Sequence, residues 1–265
     1  MEYHVIDAFT DKLFSGNPAG VCLLDGQIED AIMQNIAAEN NLSETAFLLK
    51  QGYGHYELRW FTPTMEVDLC GHATLASAFV LFDDKEKDVA ELKFDTASGE
   101  LIVTKDGDLI CLNFPASPPR EYHAHSAIGK ALGVEPVAVF ESIDFLVLVE
   151  NEEALRRLTP DFSALRKLAS EGNIPGLGII VTAPGTDCDF VSRYFAPEAG
   201  VPEDPVTGRT HCTLTPFWSK KLGKKVMDAR QLSKRGGVLR CEDCGDRVKI
   251  SGKAVRYMKS TIYNG

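Results

Sequence analysis

The sequence lacks the segments that export a protein or anchor it in a membrane. Its first residues carry neither a basic region nor a long apolar stretch, so we expect no signal peptide. The longest apolar run, roughly Leu75 to Phe82, is far too short to cross a bilayer. We therefore expect a cytoplasmic protein that makes no membrane contact.

The sequence also lacks the common motifs that hold cofactors and metals. It contains no GxGxxG, no Walker loop and no GxSxG, so we predict no cofactor. Cys241 and Cys244 form a single CxxC, and a structural zinc site would need a second ligand pair. We interpret this segment as a surface turn and predict no metal. Seven cysteines, an odd and scattered set, are typical of reduced thiols.

The chain has fewer positively than negatively charged side chains. The chain has 28 Lys and Arg against 38 Asp and Glu, which gives a formal net charge of −10. A phosphate backbone would repel this charge, so we do not expect nucleic acid as a partner. A small anion is not excluded, because the N-terminus of a helix attracts negative charge locally.

What the chain does contain is one pattern twice. The letters RWFTP at 59–63 recur as RYFAP at 193–197, about half the chain apart. In each copy a strand-like run leads through an acidic loop to a glycine, Gly71 or Gly208, and then into a helix-like apolar run. This order indicates a duplicated half. Two related halves most often place their site in the cleft between them.

The predicted elements describe an α+β chain of two pseudo-symmetric lobes. Short strands predominate, and helices are predicted at 29–39, from Gly71 onward, at 152–158, at 162–169 and at 208–222, with a kink or break at Pro216. Residues 16–20 are predicted as a turn. Three prolines within 115–119 mark a linker or hinge. We place the N-terminal lobe at 1–115 and the C-terminal lobe at 120–265, with a last strand that could cross back.

The two glycines suggest a ligand site. Each one begins a predicted helix, where unpaired N–H groups and a partial positive charge favour a carboxylate. Glycine lets a ligand approach the backbone closely. This pattern predicts a small anionic substrate, although both glycines could equally serve only to allow tight strand-to-helix turns.

Four side chains could carry chemistry, and each has a structural alternative. Glu44 precedes an apolar strand and could exchange protons, or it could be a solvated loop residue. His72 could donate to a substrate oxygen, or bond a loop. Asp204 could hold that histidine or a substrate amine, or cap the following turn. Cys70 could be a thiolate whose pKa the helix dipole lowers, or a small buried side chain. Thr207 stands where a second thiol would be needed, which argues against a two-thiol racemase.

Four segments in register resemble the PhzF-like phenazine biosynthesis family over essentially the whole chain. They are Asp7–Thr10 with Gly16–Ala19, Asn41–Phe47, Asp68–Thr74 and Glu203–Gly208. The resemblance implies the diaminopimelate epimerase-like fold, with two similar lobes, each a mostly antiparallel sheet wrapped around a central helix. It also implies a homodimer and a cofactor-free isomerisation of a dihydro-hydroxyanthranilate.

The resemblance also implies roles for individual residues. Glu44 matches the glutamate that takes a proton from one ring carbon and returns it to another. His72 and Asp204 match supporting polar residues, and Gly71 and Gly208 match substrate-facing backbone. We include Ala73 and Thr210, next to these motifs, in the predicted substrate-binding set.

Arg209 departs from the family pattern, which usually has a small serine-type residue there. Its guanidinium could clamp a substrate carboxylate, fill the pocket, or turn away to an acidic loop. We expect Arg209 to change the substrate relative to the phenazine enzyme.

The leading hypothesis is therefore a cofactor-independent isomerase that moves a proton on a small carboxylate-bearing substrate. One alternative is a racemase or epimerase that uses Cys70 with Glu44. The other is a non-catalytic small-molecule binding protein that kept the site and lost the reaction.

Overall fold

The computed structural model describes residues 1–123, 126–172, 174–176 and 178–263. Strands dominate it, as the sequence pattern predicts. In chain order they are β1 (Glu2–Ala8), β2 (Asn17–Leu24), β3 (Glu44–Gly52), β4 (His55–Phe61), β5 (Glu66–Val67), β6 (Glu91–Thr96), β7 (Gly99–Asp106), β8 (Leu109–Pro115), β9 (Arg120–Tyr122), β10 (Ala138–Glu141), β11 (Phe145–Leu148), β12 (Ile179–Pro184), β13 (Phe190–Phe195), β14 (Val226–Gln231), β15 (Gly237–Asp243), β16 (Arg247–Gly252) and β17 (Ala254–Thr261).

The α-helices of the described residues are fewer than the strands. They are α1 (Asp30–Asn40), α2 (Gly71–Val80), α3 (Ser126–Leu132), α4 (Glu152–Arg156), α5 (Phe162–Ser170) and α6 (His211–Leu222). A π-helical turn, Leu81–Lys85, extends α2, and a 3₁₀ turn covers Pro197–Ala199. Among the described residues, no helix has both the length and the apolarity that crossing a membrane requires.

The chain divides into two compact units. The first comprises Met1–Asn113 and Ile250–Gly265. Strand β1 pairs antiparallel with β2 and with β17, while β2–β3 and β4–β6 are parallel pairs. Helix α2 packs against β1, β2 and β3, and every residue in it except Phe79 is buried. A helix with no polar face needs such a surround, because water would meet apolar side chains on any side.

The second unit, Phe114–Lys249, repeats this arrangement. Strand β13 ends with the first three letters of RYFAP and pairs antiparallel with β12 and parallel with β14. Strand β4, which ends with the first three letters of RWFTP, likewise pairs antiparallel with β3 and parallel with β6. Helix α6 packs against β14 and β15. The same pairing pattern around the repeated letters supports a duplicated half, and the predicted α+β fold is confirmed.

Each unit has its own apolar core. In the first, α1 lays Met33 and Ala37 on a sheet face that presents Tyr3, Phe47 and Phe61. In the second, α3 and α5 cover the sheet. Buried Trp218 of α6 stacks on Phe190 with ring centroids 5.7 Å apart and donates its indole N–H to Thr182 Oγ1 over 2.9 Å. Cores of this size supply most of the stabilisation of each unit.

The start of α6 differs from the prediction. The helix begins at His211, not at Gly208, and residues 208–210 form a turn. Of the kink or break expected at Pro216, the break does not occur, because α6 continues to Leu222. Proline lacks the N–H that would bond the carbonyl of Cys212. That carbonyl instead accepts a hydrogen bond from the backbone N–H of Ser117 over 2.9 Å.

Four strands were not predicted, namely the short β5 and β9 and the longer pair β14 and β15. Residues 226–243 form β14 and β15, in which buried Met227, Ala229 and Leu239 alternate with exposed residues. The charged outer faces hide this alternation in a scan for apolar runs. The surface turn predicted for the CxxC was wrong in its first half, because Cys241 is a buried residue of β15 and only Cys244 is exposed.

The turn predicted at 16–20 is shorter than expected. Gly16 alone has left-handed backbone, with φ of +67°, and a Cβ there would lie 2.2 Å from the carbonyl oxygen of Ala8. Residues from Asn17 onward already belong to β2, because they pair with β1 from Ala8 backward. The glycine therefore sets the point at which Asn17 enters the sheet.

Candidate active site

Glu44 is the first residue of β3 rather than a loop residue. Helix α1 ends in the left-handed residue Asn41, whose N–H bonds the carbonyl of Ala37, and the chain then turns into the sheet. Strand β3 runs parallel to β2, with Glu44 opposite Ala19. The Glu44 side chain is 20% exposed, so its carboxylate is positioned by the sheet and still reaches solvent.

His72 faces Glu44 from the first turn of α2. Its Nε2 lies 3.2 Å from Oε2 of Glu44, and its side chain is only 5% exposed. Gly71 and Ala73, which the sequence placed in the substrate-binding set, flank it in the same buried turn. The structure thus brings Glu44, His72, Gly71 and Ala73 together within the first unit.

The other ring nitrogen of His72 has two neighbours. Nδ1 lies 3.3 Å from the side-chain nitrogen of Asn17 and 3.5 Å from Sγ of Cys70. Both neighbours are buried. Sequence reasoning missed Asn17 as a functional residue, although it lies in one of the family-like segments, because only the structure shows that its amide points at an imidazole.

Electrostatics separates the roles of Cys70 and His72. Burial raises the pKa of the Cys70 thiol, which favours the buried side chain over the thiolate, the two alternatives that the sequence left open. Burial opposes the imidazolium form of His72, but Cys70 and the Glu44 carboxylate outweigh it and hold the pKa of His72 well above its ordinary value. Cys70 is an uncharged thiol near neutral pH. The charge that stabilises protonated His72 is therefore the Glu44 carboxylate.

The same three side chains raise the question of a metal. One ligand atom from each of Glu44, Cys70 and His72 lies within 4.8 Å of the others. The thiol, however, approaches Nδ1, while the carboxylate approaches Nε2. These two nitrogens point to opposite edges of the ring, so an ion on one of them could not reach both partners without rearrangement. The arrangement fits a proton relay better than a chelate.

Asp204 belongs to a second cluster, in the second unit. Its carboxylate accepts a hydrogen bond from the hydroxyl of Thr207, and its backbone N–H bonds the carbonyl of Tyr194 over 3.1 Å. Gln231 of β14, which is 1% exposed, donates to the carbonyl of Asp204 over 2.9 Å and accepts from the N–H of Thr207 over 2.9 Å. This buried amide ties the 204–207 loop to the sheet.

Arg209 turns to an acidic partner. Its Nη1 donates to Oδ2 of Asp144 over 2.9 Å, and the Arg209 side chain is 26% exposed while that of Asp144 is fully buried. Asp144 also accepts from the backbone N–H of Gly178 over 3.2 Å and from the hydroxyl of Tyr194 over 3.4 Å. A buried carboxylate therefore orients the guanidinium from one side.

Gly208 and Thr210 lie in the turn that leads into α6. The carbonyl of Gly208 accepts from the N–H of His211 over 3.0 Å. The buried Thr210 hydroxyl donates to the carbonyl of Thr207 over 2.8 Å, so it already has a partner inside the turn. Asp204, Gly208, Arg209 and Thr210 thus form one cluster within the second unit.

Comparison with known proteins identifies the fold first. A predicted epimerase from Pseudomonas aeruginosa, 18% identical, superposes with a TM-score of 0.75 and covers 100% of this chain and 99% of its own. At that identity the likeness concerns the fold alone, which is the diaminopimelate epimerase-like α+β fold.

The family follows from closer relatives. The model of the phenazine biosynthesis-like proteins, PhzC-PhzF, matches residues 6–260. An uncharacterized isomerase of Pseudomonas aeruginosa is 49% identical over 96% of this chain and 95% of its own length. A PhzF-family protein from Enterococcus faecalis is 45% identical, with a TM-score of 0.94 over 99% of this chain and 98% of that one. The chain belongs to the PhzC-PhzF family, and it is an isomerase of this type.

Proposed function

We propose that the protein is a cofactor-independent isomerase that transfers a proton on a small carboxylate-bearing substrate, similar to trans-2,3-dihydro-3-hydroxyanthranilate isomerase. The observation that carries this proposal is the 3.2 Å approach of His72 Nε2 to a partly exposed Glu44 carboxylate. The Glu44 carboxylate is partly exposed, so a substrate can reach it, and the buried imidazole of His72 contacts it. This is the placement of a general acid and base.

In this reaction Glu44 removes a proton from one substrate carbon and returns it to another. His72 donates to the Glu44 carboxylate and holds it in one orientation, which reduces the entropy lost on reaching the transition state. The N–H groups at the start of α2, from Gly71 to Ala73, favour the negative charge that develops when the proton leaves.

The remaining roles are assigned to the second cluster. Asp204 orients a polar group of the substrate, and Arg209 binds its carboxylate with N–H groups other than the one given to Asp144. Gly208 and Thr210 contribute backbone contacts. The family resemblance supports the roles of Asp204 and Gly208 and a homodimer, whereas the role of Arg209 rests on its guanidinium and on its departure from the family pattern.

The test is deuterium incorporation followed by NMR in heavy water. The native protein is offered dihydro-hydroxyanthranilate and a panel of small amino and hydroxy carboxylates. We expect exchange into one of them, and a loss of at least about a hundredfold in E44Q, because the amide cannot accept the proton. The matched control is E39Q, which changes an exposed glutamate in α1. Full exchange activity in E44Q would overturn the assignment of the base.

The same assay separates the alternatives. Loss of exchange in C70A with a retained fold would favour a one-thiol racemase or epimerase, although the raised pKa of Cys70 argues against it. Binding of a ligand without exchange would favour a non-catalytic binding protein. We expect C70A to retain most of the exchange rate.

A further inference from the structure

Asn17 is a buried polar side chain that the reaction described above does not use. It is fully buried at the first position of β2, directly after the left-handed residue Gly16. A buried amide that met only apolar groups would cost several kcal/mol, so its partners define its role. The partner in question is Nδ1 of His72, 3.3 Å from the amide nitrogen.

The surroundings of His72 determine which of its nitrogens carries the proton. An amide N–H₂ can only donate, and a thiol held neutral by burial donates weakly as well. Both the Asn17 amide nitrogen and Sγ of Cys70 lie against Nδ1. Nε2 lies 3.2 Å from a carboxylate oxygen of Glu44, an atom that can only accept when the carboxylate is ionised. Two donors on one side and an acceptor on the other leave one consistent arrangement, with the lone pair on Nδ1 and the proton on Nε2.

We propose that Asn17 is a positioning residue that fixes the neutral form of His72 as the Nε2–H tautomer, directed at Glu44. The pKa of His72 is held well above its ordinary value, so the neutral ring forms only as the pH rises past that pKa. Below it, a second proton on Nδ1 would face the amide N–H₂ head on, so the doubly protonated ring requires the Asn17 amide to turn over and offer its oxygen. Asn17 therefore keeps His72 a hydrogen-bond donor to Glu44 and leaves the moving proton to the carboxylate. Only the consequence for catalysis rests on the proposed function, because the tautomer is a property of the free protein.

The tautomer can be read directly. Protein labelled with ¹⁵N in its histidines is titrated by NMR, and the His72 signals are assigned by their absence in H72Q. We expect the neutral form to show an unprotonated Nδ1 and a protonated Nε2. A neutral form with its proton on Nδ1 would overturn the proposal, whatever the activity of the protein.

The decisive variant is N17D, which replaces the donor by an acceptor of the same size. A carboxylate against Nδ1 should draw a proton onto that nitrogen, so His72 should become doubly protonated and stay so to higher pH. The other charged or titratable groups that act on His72 are Glu44 and Cys70, and both are unchanged in N17D. Unchanged His72 signals in a folded N17D protein would also overturn the proposal.

Two further measurements test the role of Asn17, one of the tautomer in N17L and one of the exchange kinetics. N17L fills the same space without a hydrogen bond, and we expect a larger share of the Nδ1–H tautomer than in the native protein, with Glu44 and Cys70 still favouring Nε2–H. Exchange activity is measured on the same samples, with an expected fall of roughly tenfold or more in kcat for N17D and little change in KM. If the protonation of His72 changes in N17D or N17L while kcat does not, Asn17 still controls the tautomer. That result would count against a role of His72 in the proposed reaction.

Discussion

At the scale of single residues, the two clusters use buried polar groups in opposite ways. His72 is buried beside an acceptor and a donor, so its protons matter for chemistry. His211, at the start of α6, is buried with Nδ1 2.9 Å from the carbonyl of Thr207, and this burial lowers its pKa to about 4. The first histidine holds a catalytic group in our proposal, while the second holds a turn.

The pKa of His211 predicts how stability depends on pH. The unfolded chain binds a proton at His211 below about pH 6.5, whereas the folded chain binds it only below about 4. The contribution of neutral His211 to the free energy of unfolding should therefore be complete above about pH 6.5. It should fall by up to about 1.4 kcal/mol per pH unit between about pH 6.5 and pH 4. Urea denaturation of native protein and H211N across this range tests it. Parallel curves for the two proteins would contradict the prediction.

Arg209 gives a second prediction at this scale. Lysine keeps the charge but loses the planar fork, so R209K should raise KM for a carboxylate substrate by roughly tenfold with a smaller effect on kcat. R209S should in addition lower the free energy of unfolding by about 1–3 kcal/mol, because it removes the Arg209 hydrogen bond from the buried Asp144 carboxylate. Steady-state kinetics and denaturation measure both, with K220S as the surface-charge control. Unchanged substrate selectivity in R209K and R209S would remove Arg209 from the substrate site.

At the scale of elements, the ends of two strands position the polar clusters. Strand β14 ends at Gln231, whose amide reaches across to the 204–207 loop. Strand β2 begins at Asn17, whose amide reaches the first turn of α2. In both cases the amide belongs to the terminal residue of a strand. A side chain at that position lies at the edge of the pleated region and can reach a neighbouring loop or helix end.

Removing the Gln231 amide should therefore loosen the Asp204 loop. Q231L loses bonds to the carbonyl of Asp204, the N–H of Thr207 and the Thr207 hydroxyl. We expect a loss of roughly 2–4 kcal/mol in the free energy of unfolding and a reduced kcat. Q231E, which keeps the acceptor for Thr207 N–H, should fall between native and Q231L. Equal stability of all three proteins would show that the loop is held by other contacts.

At the scale of the whole molecule, the proposed homodimer needs an apolar surface. Phe14 is 69% exposed and packs edge-to-face on Tyr257, which is 55% exposed, with centroids 5.9 Å apart. Large exposed aromatic side chains of this kind are typical of contact surfaces. Phe14 also has a left-handed backbone, with φ of +68°.

Light scattering should give twice the chain mass of 29.0 kDa for the native protein. F14N should shift this toward the monomer, because asparagine tolerates left-handed backbone while removing the apolar side chain. The control is Y53N, which removes another exposed aromatic side chain. A native mass of a single chain would exclude the dimer, and an F14N dimer of unchanged stability would place the interface elsewhere.

Much of this protein could be predicted from its sequence. The repeated letters, the helix that starts at Gly71 and most strand positions follow from local periodicity and turn residues, which depend on near neighbours. The four family-like segments indicated the fold and the family, both of which the comparisons confirm. The strands at 226–243 were missed, because alternating charged residues on their outer faces hide the apolar inner face.

The sequence by itself determined the elements, the duplication, the family and the choice of Glu44 and His72 as candidates. Only the tertiary structure decided that these two side chains meet, that Asn17 lies behind the imidazole, and that Arg209 is bound by Asp144. The physical reason is sequence separation. Asn17 and His72, like Asp144 and Arg209, are more than fifty residues apart, and packing of distant strands and helices brings each pair within hydrogen-bond distance.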